Sequence, residues 1–542
     1  MAVPDTRRVL GDTRRVRWQP RLPVRDLGAT APARVAALVA VAAGIAAAGA
    51  FPRLNLWPLA IVSVAGLSWA VDGRRARTGA WLGLLYGLAF FVPLVHWTGV
   101  YVGPAPWLIL ASAEAGFMAL LAAVLTVVQR LPARAFWVAC AWVLQEALRD
   151  RLPFGGFPWG RLAFSQQDSP LRWFIELGGA PLLTFAVALT GAGLWLVVAA
   201  IRRAPDVRAL IVAVTIAVAV PACGALWGLA VSSPSTADRL RVAEVQGSVP
   251  DRGLAFEDRA RQVLDNHVAQ TLRLAAQIRS GQVPQPDLVV WPENSSDVDP
   301  LVDASAAAEI TRAVRAVRAP VLVGAILDGP GPDHRRNAGI LWSPTTGPGA
   351  EYIKRHPVPF AEYMPLRGLA EAVSSAAKLV TQDMVAGSGN GLLKGGPAPI
   401  GDVICFEVAY DNLVQSSVDA GAQLLVVQTN NATFGHTSET YQQLAMSRLR
   451  AIETGRTVLQ VSTTGASAII TPDGTVVRES GALFEPALLS ASVPLETHIT
   501  PAVALGAVPE WTLAGLAVLA VAAVVASGLA ARQRRTQEVV AA

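Results

Sequence analysis

The sequence predicts a multi-pass α-helical membrane bundle joined to a large α/β domain. Three observations support this fold class. Hydrophobic residues make up 52% of the 542 residues and charged residues only 16%, which is too apolar for an ordinary soluble enzyme. Eight long apolar runs are candidates for membrane spans. One polar region, residues 232–505, is too long to be a loop and large enough to form its own core.

The bundle is predicted to contain eight spans. Residues 1–33 carry seven arginines and no long apolar run, which indicates a basic cytoplasmic tail. Seven spans are expected within 34–231 and the eighth within 506–531, before a short tail at 532–542. The apolar runs are 35–51, 54–71, 78–99, 106–128, 135–148, 177–201, 209–231 and 511–531.

Arginines between the spans predict the orientation, because basic residues in short loops stay on the cytoplasmic side. They concentrate in the second, fourth and sixth connections. The fifth connection, 150–173, is an exception, and its mixture of arginine and aromatic residues indicates an interfacial segment. We therefore expect both termini in the cytoplasm and residues 232–505 on the extracytoplasmic side.

Residues 232–505 alternate between strand-like and helix-like patterns, which predicts a mixed α/β domain. Helical spacing is seen around 256–268 and 444–452, and Asp473-Gly474 is a hairpin-turn signal. The predicted strands are 240–246, 288–291, 321–326, 338–342, 400–405, 424–428, 457–461 and 488–493.

Glu293 directly follows an apolar strand that Pro292 ends. Ends of buried strands are where α/β folds place their sites. Taken alone, the pattern fits a solvent-exposed acid at least as well as a catalytic one.

Lys354 is notable because only three of the 45 basic residues are lysines. Because this chain otherwise uses arginine, a lysine on a strand indicates a need for a compact ammonium. Such a group can approach a developing oxyanion as a point charge. The other two, Lys378 and Lys394, are more simply explained as incidental surface lysines.

Cys405 ends an apolar strand and precedes a second acid, Glu407. A single cysteine is more often a small core residue than a nucleophile. Here, however, the three stretches together offer a base, a cation and a thiol, which is the minimum set for acyl transfer through a thioester.

The order of these stretches resembles the nitrilase superfamily, also called the carbon-nitrogen hydrolases. With spans on both sides, the chain resembles its membrane-embedded branch, the apolipoprotein N-acyltransferases. The matching motifs are Trp291-Pro292-Glu293, Lys354 with Pro359-Phe360-Ala361-Glu362, Cys405-Phe406-Glu407, Val245-Gln246-Gly247, Gly156-Phe157-Pro158-Trp159, Asn430-Asn431-Ala432-Thr433-Phe434-Gly435 and Ala445-Met446-Ser447-Arg448-Leu449-Arg450-Ala451.

The resemblance implies an αββα sandwich with a Glu293, Lys354 and Cys405 triad. Glu362 and Glu407 would orient Lys354 and the thiol, and the backbone N–H of Phe406 would help to hold the oxyanion. The loop Thr433, Phe434 and Gly435 corresponds to one thought to touch lipid. Two positions depart from the family pattern, since Trp is usual at Thr433 and Gly at Ala361, and neither belongs to the triad.

The implied reaction moves an acyl chain from a membrane phospholipid to the α-amino group of an apolipoprotein's diacylglyceryl-modified N-terminal cysteine. The implied location is the bacterial plasma membrane. We expect no cofactor and no metal, because the six histidines lack metal-ligand spacing. The basic surplus of five lies mainly in the predicted cytoplasmic parts, so we expect no nucleic-acid partner.

Two other functions fit parts of the pattern. A membrane-tethered amidase or hydrolase would use the same triad but release the acyl group to water. A transporter with an outward binding domain would need polar groups in its spans. Those groups are few, chiefly His96, Glu114 and Glu146, which argues against transport of ions or protons.

Overall fold

The structure is a computed structural model that describes residues 32–202, 207–231, 238–249 and 260–541. Almost all of the predicted basic tail, 1–33, lies outside the described residues. Phe256 of the first predicted helix of the α/β domain also lies outside them.

Seven helices precede the α/β domain in the described residues, and they match the predicted apolar runs closely. They are α1 (Ala33–Ala50), α2 (Pro58–Val71), α3 (Ala76–Leu94), α4 (Pro104–Val128), α5 (Arg134–Arg149), α6 (Phe174–Arg202) and α7 (Val207–Ala230). An eighth apolar helix, α14 (Val508–Ala541), follows the domain.

Six of the described helices are long and apolar enough to cross a membrane: α1, α3, α4, α6, α7 and α14. The other two predicted spans form shorter helices, since α2 has 14 residues and α5 has 16. Helix α5 also buries Gln145, Glu146 and Arg149. Several apolar helices compatible with a membrane bundle are therefore present, and α2 and α5 are the two that fall short by length.

Helices α3 and α4 pack closely because glycines recur every four residues along α3. A Cβ atom at Gly83 would lie 2.3 Å from the carbonyl oxygen of Met118, and one at Gly79 would lie 2.8 Å from that of Ala122. Gly87 continues the same face. Small residues at this spacing let helices in a bilayer approach backbone to backbone.

The α/β domain contains two sheets. The first has the order β13-β1-β2-β3-β4-β5 with β6 on β4, and the second has the order β12-β11-β10-β9-β8-β7. The strands are β1 (Arg239–Gln246), β2 (Leu288–Val290), β3 (Val321–Asp328), β4 (His334–Ser343), β5 (Gly347–Ile353), β6 (Asp383–Met384), β7 (Leu392–Leu393), β8 (Ile400–Ile404), β9 (Leu424–Thr429), β10 (Thr457–Ser462), β11 (Ala468–Ile470), β12 (Val476–Glu479) and β13 (Ala487–Pro494).

The two sheets form the inner layers of an αββα sandwich, as predicted. Alternate residues of both sheets, such as Val290 and Ile404, share one apolar core. Helices α8 (Ala260–Arg279) and α9 (Ala304–Val317) cover the first sheet, and α11 (Asp411–Asp419) and α12 (Glu439–Thr454) cover the second. The two remaining helices, α10 (Arg367–Val373) and α13 (Pro501–Leu505), are short.

The second helical layer also contacts the membrane bundle. Leu444 and Leu449 of α12 belong to the same apolar core as Phe91 and Ala180 of the bundle. The six-stranded sheet therefore lies on the bundle side of the sandwich, and the end of β8 lies near the bundle.

All eight predicted strands are present, and β11 and β12 form the predicted hairpin around Gly474, which has φ +79°. The prediction missed the two-residue strands β6 and β7, which are too short for a periodic signal, and also β5. Lys354 was expected on a strand, but it is the first residue beyond β5. Its N–H still donates to the carbonyl of Asn337, at 2.9 Å, which fixes its direction.

Candidate active site

Three strand ends bring the predicted triad together. Glu293 lies just beyond β2, Lys354 directly follows β5, and Cys405 directly follows β8. All three strands belong to the facing sheets of the sandwich. The positions fit the general rule that α/β domains build sites where strands end.

Glu293 and Lys354 form a buried ion pair. The Lys354 Nζ lies 3.1 Å from Oε1 of Glu293, and their exposed fractions are 1% and 5%. The other oxygen of Glu293, Oε2, accepts a 2.8 Å hydrogen bond from the N–H of Asn430. Both carboxylate oxygens are therefore engaged.

Glu362 contacts the ammonium directly, because Lys354 Nζ lies 2.9 Å from its carboxylate. The amide of Asn337, on β4, donates to Oε1 of Glu293 at 2.7 Å and to Oε1 of Glu362 at 3.0 Å. Sequence reasoning missed Asn337. Its position beside an apolar strand segment, as a polar residue facing inward, was the only available signal.

Cys405 begins a short 3-10 turn, Cys405–Ala409, with φ +54°. Its Sγ lies 3.3 Å from Oγ1 of Thr429 and 3.7 Å from Nε2 of Gln443. Thr429 therefore contacts the thiol, and the next residue, Asn430, contacts Glu293. Residues at the end of β9 therefore contact both the sulfur and the ion pair of Glu293 and Lys354.

Burial dominates the electrostatics of the site. Burial raises the pKa of the Cys405 thiol, and the carboxylate of Glu293 raises it further, whereas the ammonium of Lys354 lowers it. Burial opposes the charge of Lys354, but Glu293 and Glu362 together raise the pKa of that ammonium well above its usual value. The resting state therefore pairs a protonated thiol with a charged lysine.

Glu407 supports the turn from inside the domain. Its Oε2 accepts from the N–H of Ile404 at 2.9 Å, and its Oε1 accepts from the N–H of Arg355 at 2.7 Å. The hydroxyl of Tyr352 donates to the same carboxylate, at 2.9 Å. Glu407 thus ties the strand before Cys405 to the segment after Lys354, without touching the ammonium itself.

Arg450 of α12 holds the other end of the turn. This fully buried guanidinium donates to the carbonyl oxygens of Val408 at 2.8 Å and Ala409 at 3.0 Å. It also pairs with Asp411 at 2.8 Å and with Glu453. The turn that carries the thiol is therefore fixed at both ends by buried charged side chains.

Comparison with known proteins agrees with this architecture. Residues 43–193 match the family model of the apolipoprotein N-acyltransferase N-terminal domain, and residues 242–500 match the carbon-nitrogen hydrolase model. An apolipoprotein N-acyltransferase of Mycolicibacterium smegmatis is 41% identical over 89% of this chain and 84% of its own length. The chain belongs to the apolipoprotein N-acyltransferase family.

Other relatives include an apolipoprotein N-acyltransferase of Azotobacter vinelandii, 31% identical over 89% of this chain and 93% of its own length. Among solved structures, an amidase mutant from Nesterenkonia sp. AN1 covers 49% of this chain and 94% of its own, with 20% identity and a TM-score of 0.33. A nitrilase-superfamily protein of Saccharomyces cerevisiae covers 48% and 93%, with 17% identity and a TM-score of 0.35.

In this member of the apolipoprotein N-acyltransferase family, aromatic side chains join the bundle to the thiol turn. Phe406 stacks on Phe157 and Trp159 of the fifth connection, with ring centroids 5.8 and 6.0 Å apart. The indole N–H of Trp159 donates to Oε1 of Gln442 at 2.6 Å. Residues 156–167 of the fifth connection are thus mostly buried, and their aromatic rings pack against the turn that carries Cys405.

The loop expected to touch lipid packs against the bundle in this acyltransferase. Phe434 lies edge-on to Trp97 with ring centroids 4.9 Å apart. A Cβ atom at Gly435, where φ is +58°, would lie 3.1 Å from the hydroxyl of Tyr101. Thr433 is half-buried within a 3-10 turn, Ala432–Phe434. The loop therefore lies where the domain meets the connection between α3 and α4.

The two acids expected inside the bundle are both paired. Glu114 of α4 lies 3.2 Å from Nη1 of Arg149. Glu146 of α5 accepts from the hydroxyl of Thr184 and the N–H of Leu162, at 2.7 and 2.8 Å. These contacts are structural, which agrees with an acyltransferase rather than a transporter.

Proposed function

We propose that the enzyme transfers an acyl chain from a membrane phospholipid to an apolipoprotein through a thioester on Cys405. Family membership supports the overall activity. The observation that carries the assignment of residues is the convergence of Glu293, Lys354 and Cys405 at three strand ends, with Lys354 3.1 Å from Glu293.

In the first half-reaction, the Cys405 sulfur attacks the ester carbonyl of the phospholipid. The S–C bond forms, the C–O bond breaks, and Glu293 passes the thiol proton to the leaving lysophospholipid oxygen. Lys354 and the backbone N–H of Phe406 stabilise the oxyanion. Glu362 and Glu407 position the ammonium and the turn.

In the second half-reaction, the α-amino group of the diacylglyceryl-modified cysteine attacks the thioester. The N–C bond forms, the C–S bond breaks, and a proton returns to the sulfur through Glu293. Donor and acceptor thus bind in succession, which is a ping-pong order. The bundle beneath the domain gives both lipid substrates access from the bilayer, and the loop Thr433 to Gly435 contacts them there.

The topology we propose has eight spans, with both termini in the cytoplasm. In it, residues 34–231 form seven spans, 232–505 the extracytoplasmic catalytic domain and 506–531 the last span. The arginine distribution between the spans supports this orientation. Single cysteines introduced at exposed sites of a thiol-free variant test it. Glu479→Cys should react with an impermeant maleimide in intact cells, and Arg75→Cys should react only after permeabilisation.

Mass spectrometry of the purified protein after incubation with phospholipid tests the chemistry. The expected result is one added acyl mass on the peptide that contains Cys405, which disappears when an apolipoprotein peptide acceptor is added. Cys405→Ala should acquire no acyl mass and acylate no acceptor. Release of free fatty acid in the presence of acceptor, without N-acylation, would instead favour a hydrolase.

A further inference from the structure

A further carboxyl group, Glu439, lies beside the proposed triad. It begins α12 and is only 1% exposed. Its one hydrogen bond among the described residues joins it to the hydroxyl of its neighbour Thr440, at 3.5 Å. No Lys or Arg in the described part of the chain lies within salt-bridge distance of it. A buried acid without a cation calls for an explanation.

The geometry of α12 points Glu439 toward the catalytic sulfur. Residues four apart lie on one face of a helix, and Gln443, one turn after Glu439, contacts both Cys405 Sγ and Thr429. Glu439 is close enough to raise the pKa of the Cys405 thiol, and Glu293 in turn raises the pKa of Glu439. Glu439 therefore lies close enough to Glu293 and Cys405 for the charges of the three groups to interact, and Lys354 pairs with Glu293.

The second half-reaction of the proposed function needs a proton acceptor that the triad does not supply. An α-amino group has a pKa of about 8 and arrives mainly as an ammonium at neutral pH. It must lose one proton to become a nucleophile and a second after attack. Glu293 can take only one, and its oxygens already accept from Lys354, Asn337 and Asn430.

We propose that Glu439 is a further catalytic residue, which binds the acceptor ammonium and removes its first proton. The bound ammonium favours the ionised form of Glu439, and the carboxylate then takes that proton and leaves a neutral amine. The amine then attacks the thioester, its second proton passes through Glu293 to the sulfur, and Glu439 returns its proton to water. This assignment rests on the proposed function and deepens its acceptor step.

The acidity of Glu439 suits this step. Burial raises its pKa, and Glu293 raises it further, to about 8. An α-amino group has nearly the same pKa, so the proton can pass between them at little cost in either direction. A base works best when its pKa lies close to that of the group it serves and to the working pH.

The test measures the two half-reactions separately in the full-length enzyme. Glu439→Gln should form the Cys405 acyl-enzyme from phospholipid within about twofold of the wild-type rate. Its transfer to a diacylglyceryl-cysteine peptide at pH 7 should be slower by roughly 10²-fold, the lower range for loss of a general base. The deficit should shrink toward pH 9.5, where the free amine is already neutral.

Glu244→Gln is the matched control, because Glu244, on β1, is another buried acid, and its carboxylate has no hydrogen-bond partner within the part of the chain that the structure describes. It should leave both half-reactions unchanged. If Glu439→Gln does not form the acyl-enzyme because it fails to fold, Glu439→Asp carries the test, since it keeps the charge and displaces it; it should slow transfer alone.

Transfer at the wild-type rate would overturn the proposal for Glu439, and so would a deficit that is the same at pH 7 and pH 9.5. Equal slowing of both half-reactions in both variants would make Glu439 a structural residue and would also overturn it. Failure of the wild-type enzyme to acquire an acyl group on Cys405 is a different outcome, which would contradict the proposed function itself.

Discussion

Arg161 donates two hydrogen bonds, of 2.9 and 3.0 Å, to the carboxylate of Asp411. Arg161 belongs to the connection between α5 and α6, whereas Asp411 begins α11 in the catalytic domain. Asp411 also pairs with Arg450, which holds the carbonyls of the thiol turn. A continuous path of charged groups, buried except for the partly exposed Asp411, thus runs from the connection between α5 and α6 to the turn that begins at Cys405.

Asp411→Asn should destabilise the protein by about 1–3 kcal/mol, because it removes the carboxylate that the buried guanidinium groups of Arg161 and Arg450 share. Each arginine keeps other acidic partners, which limits the loss. Both arginines are nearly inaccessible, at 2% and 0% exposure. Burial alone would raise the pKa of Asp411, but the two arginines lower it, so the native state holds an ionised carboxylate. Chemical unfolding in detergent measures the change.

The exposed pair of Arg312 and Glu309 on α9 is the control for Asp411. Glu309→Gln should cost about 0.2–1 kcal/mol, as is usual for solvent-exposed pairs. If both substitutions had equally small effects, the buried path would not stabilise the fold.

Lys354→Met should lower the rate of acyl-enzyme formation on Cys405 by roughly 10²–10³-fold, because it removes the cation that we assign to the oxyanion. It also leaves Glu293 and Glu362 facing each other without the ammonium between them. The rate is read as acyl mass acquired by the intact protein. Lys394→Met changes an exposed lysine after β7 and should have no effect. A fully active Lys354→Met variant would rule out this role.

Glu407→Gln should slow acyl-enzyme formation by roughly 10- to 100-fold, an effect typical of losing a supporting hydrogen bond at a site. The Gln amide nitrogen cannot accept, so the N–H of Ile404 or that of Arg355 loses its partner, and the turn at Cys405 shifts. Tyr352→Phe removes another contact of the same carboxylate while keeping both backbone bonds. The rate of acyl-enzyme formation in Tyr352→Phe should therefore remain much closer to the wild-type rate. A larger loss of rate in Tyr352→Phe than in Glu407→Gln would refute this explanation.

Glu439→Gln should change how stability depends on pH. The folded-state pKa of Glu439 is about 8, above the usual 4.5, so the native state binds this proton more tightly than the unfolded state. The stability from this group is complete below about pH 4.5 and is lost as pH rises toward 8, by up to about 1.4 kcal/mol per pH unit. We expect the free energy of unfolding of Glu439→Gln, measured between pH 5 and 8.5, to increase relative to that of the wild type as pH rises. Parallel curves would contradict the raised pKa.

Local patterns in the sequence were sufficient to single out the three residues that the structure brings together and that we propose as the triad. Glu293 and Cys405 each follow an apolar run with β-branched residues, which is typical of a buried strand. Lys354 was singled out because lysine is rare in this chain, and the largely exposed strand β5 before it was missed. The αββα arrangement followed from the resemblance that these motifs carry. The same local reasoning also placed the hairpin at Gly474, because a positive φ there favours glycine.

The contacts of the site with the bundle depend on packing that no local pattern reveals. Arg161 and Asp411 are 250 residues apart, and Gln442 meets Trp159 across a similar distance in the chain. Asn337 and Gln443 belong to segments whose own periodicity says nothing about what they face. Helix α5 shows the same limit in the bundle. Its Glu146 and Arg149 shorten the apolar run that predicts a span, but both are buried and have polar partners within the fold, which the local sequence does not reveal.

The apolar core that α12 shares with the bundle has a consequence for how the enzyme can exist. Phe406, Leu444 and Leu449 are covered by bundle residues such as Phe91, Trp97 and Trp159, and no water-soluble form of residues 238–505 would keep that covering. Expressing the sandwich without the bundle would expose an apolar surface next to the Cys405 thiol, and such a surface promotes aggregation. The bundle thus forms one side of the site that contains Cys405, and the bundle and the α/β domain must fold together.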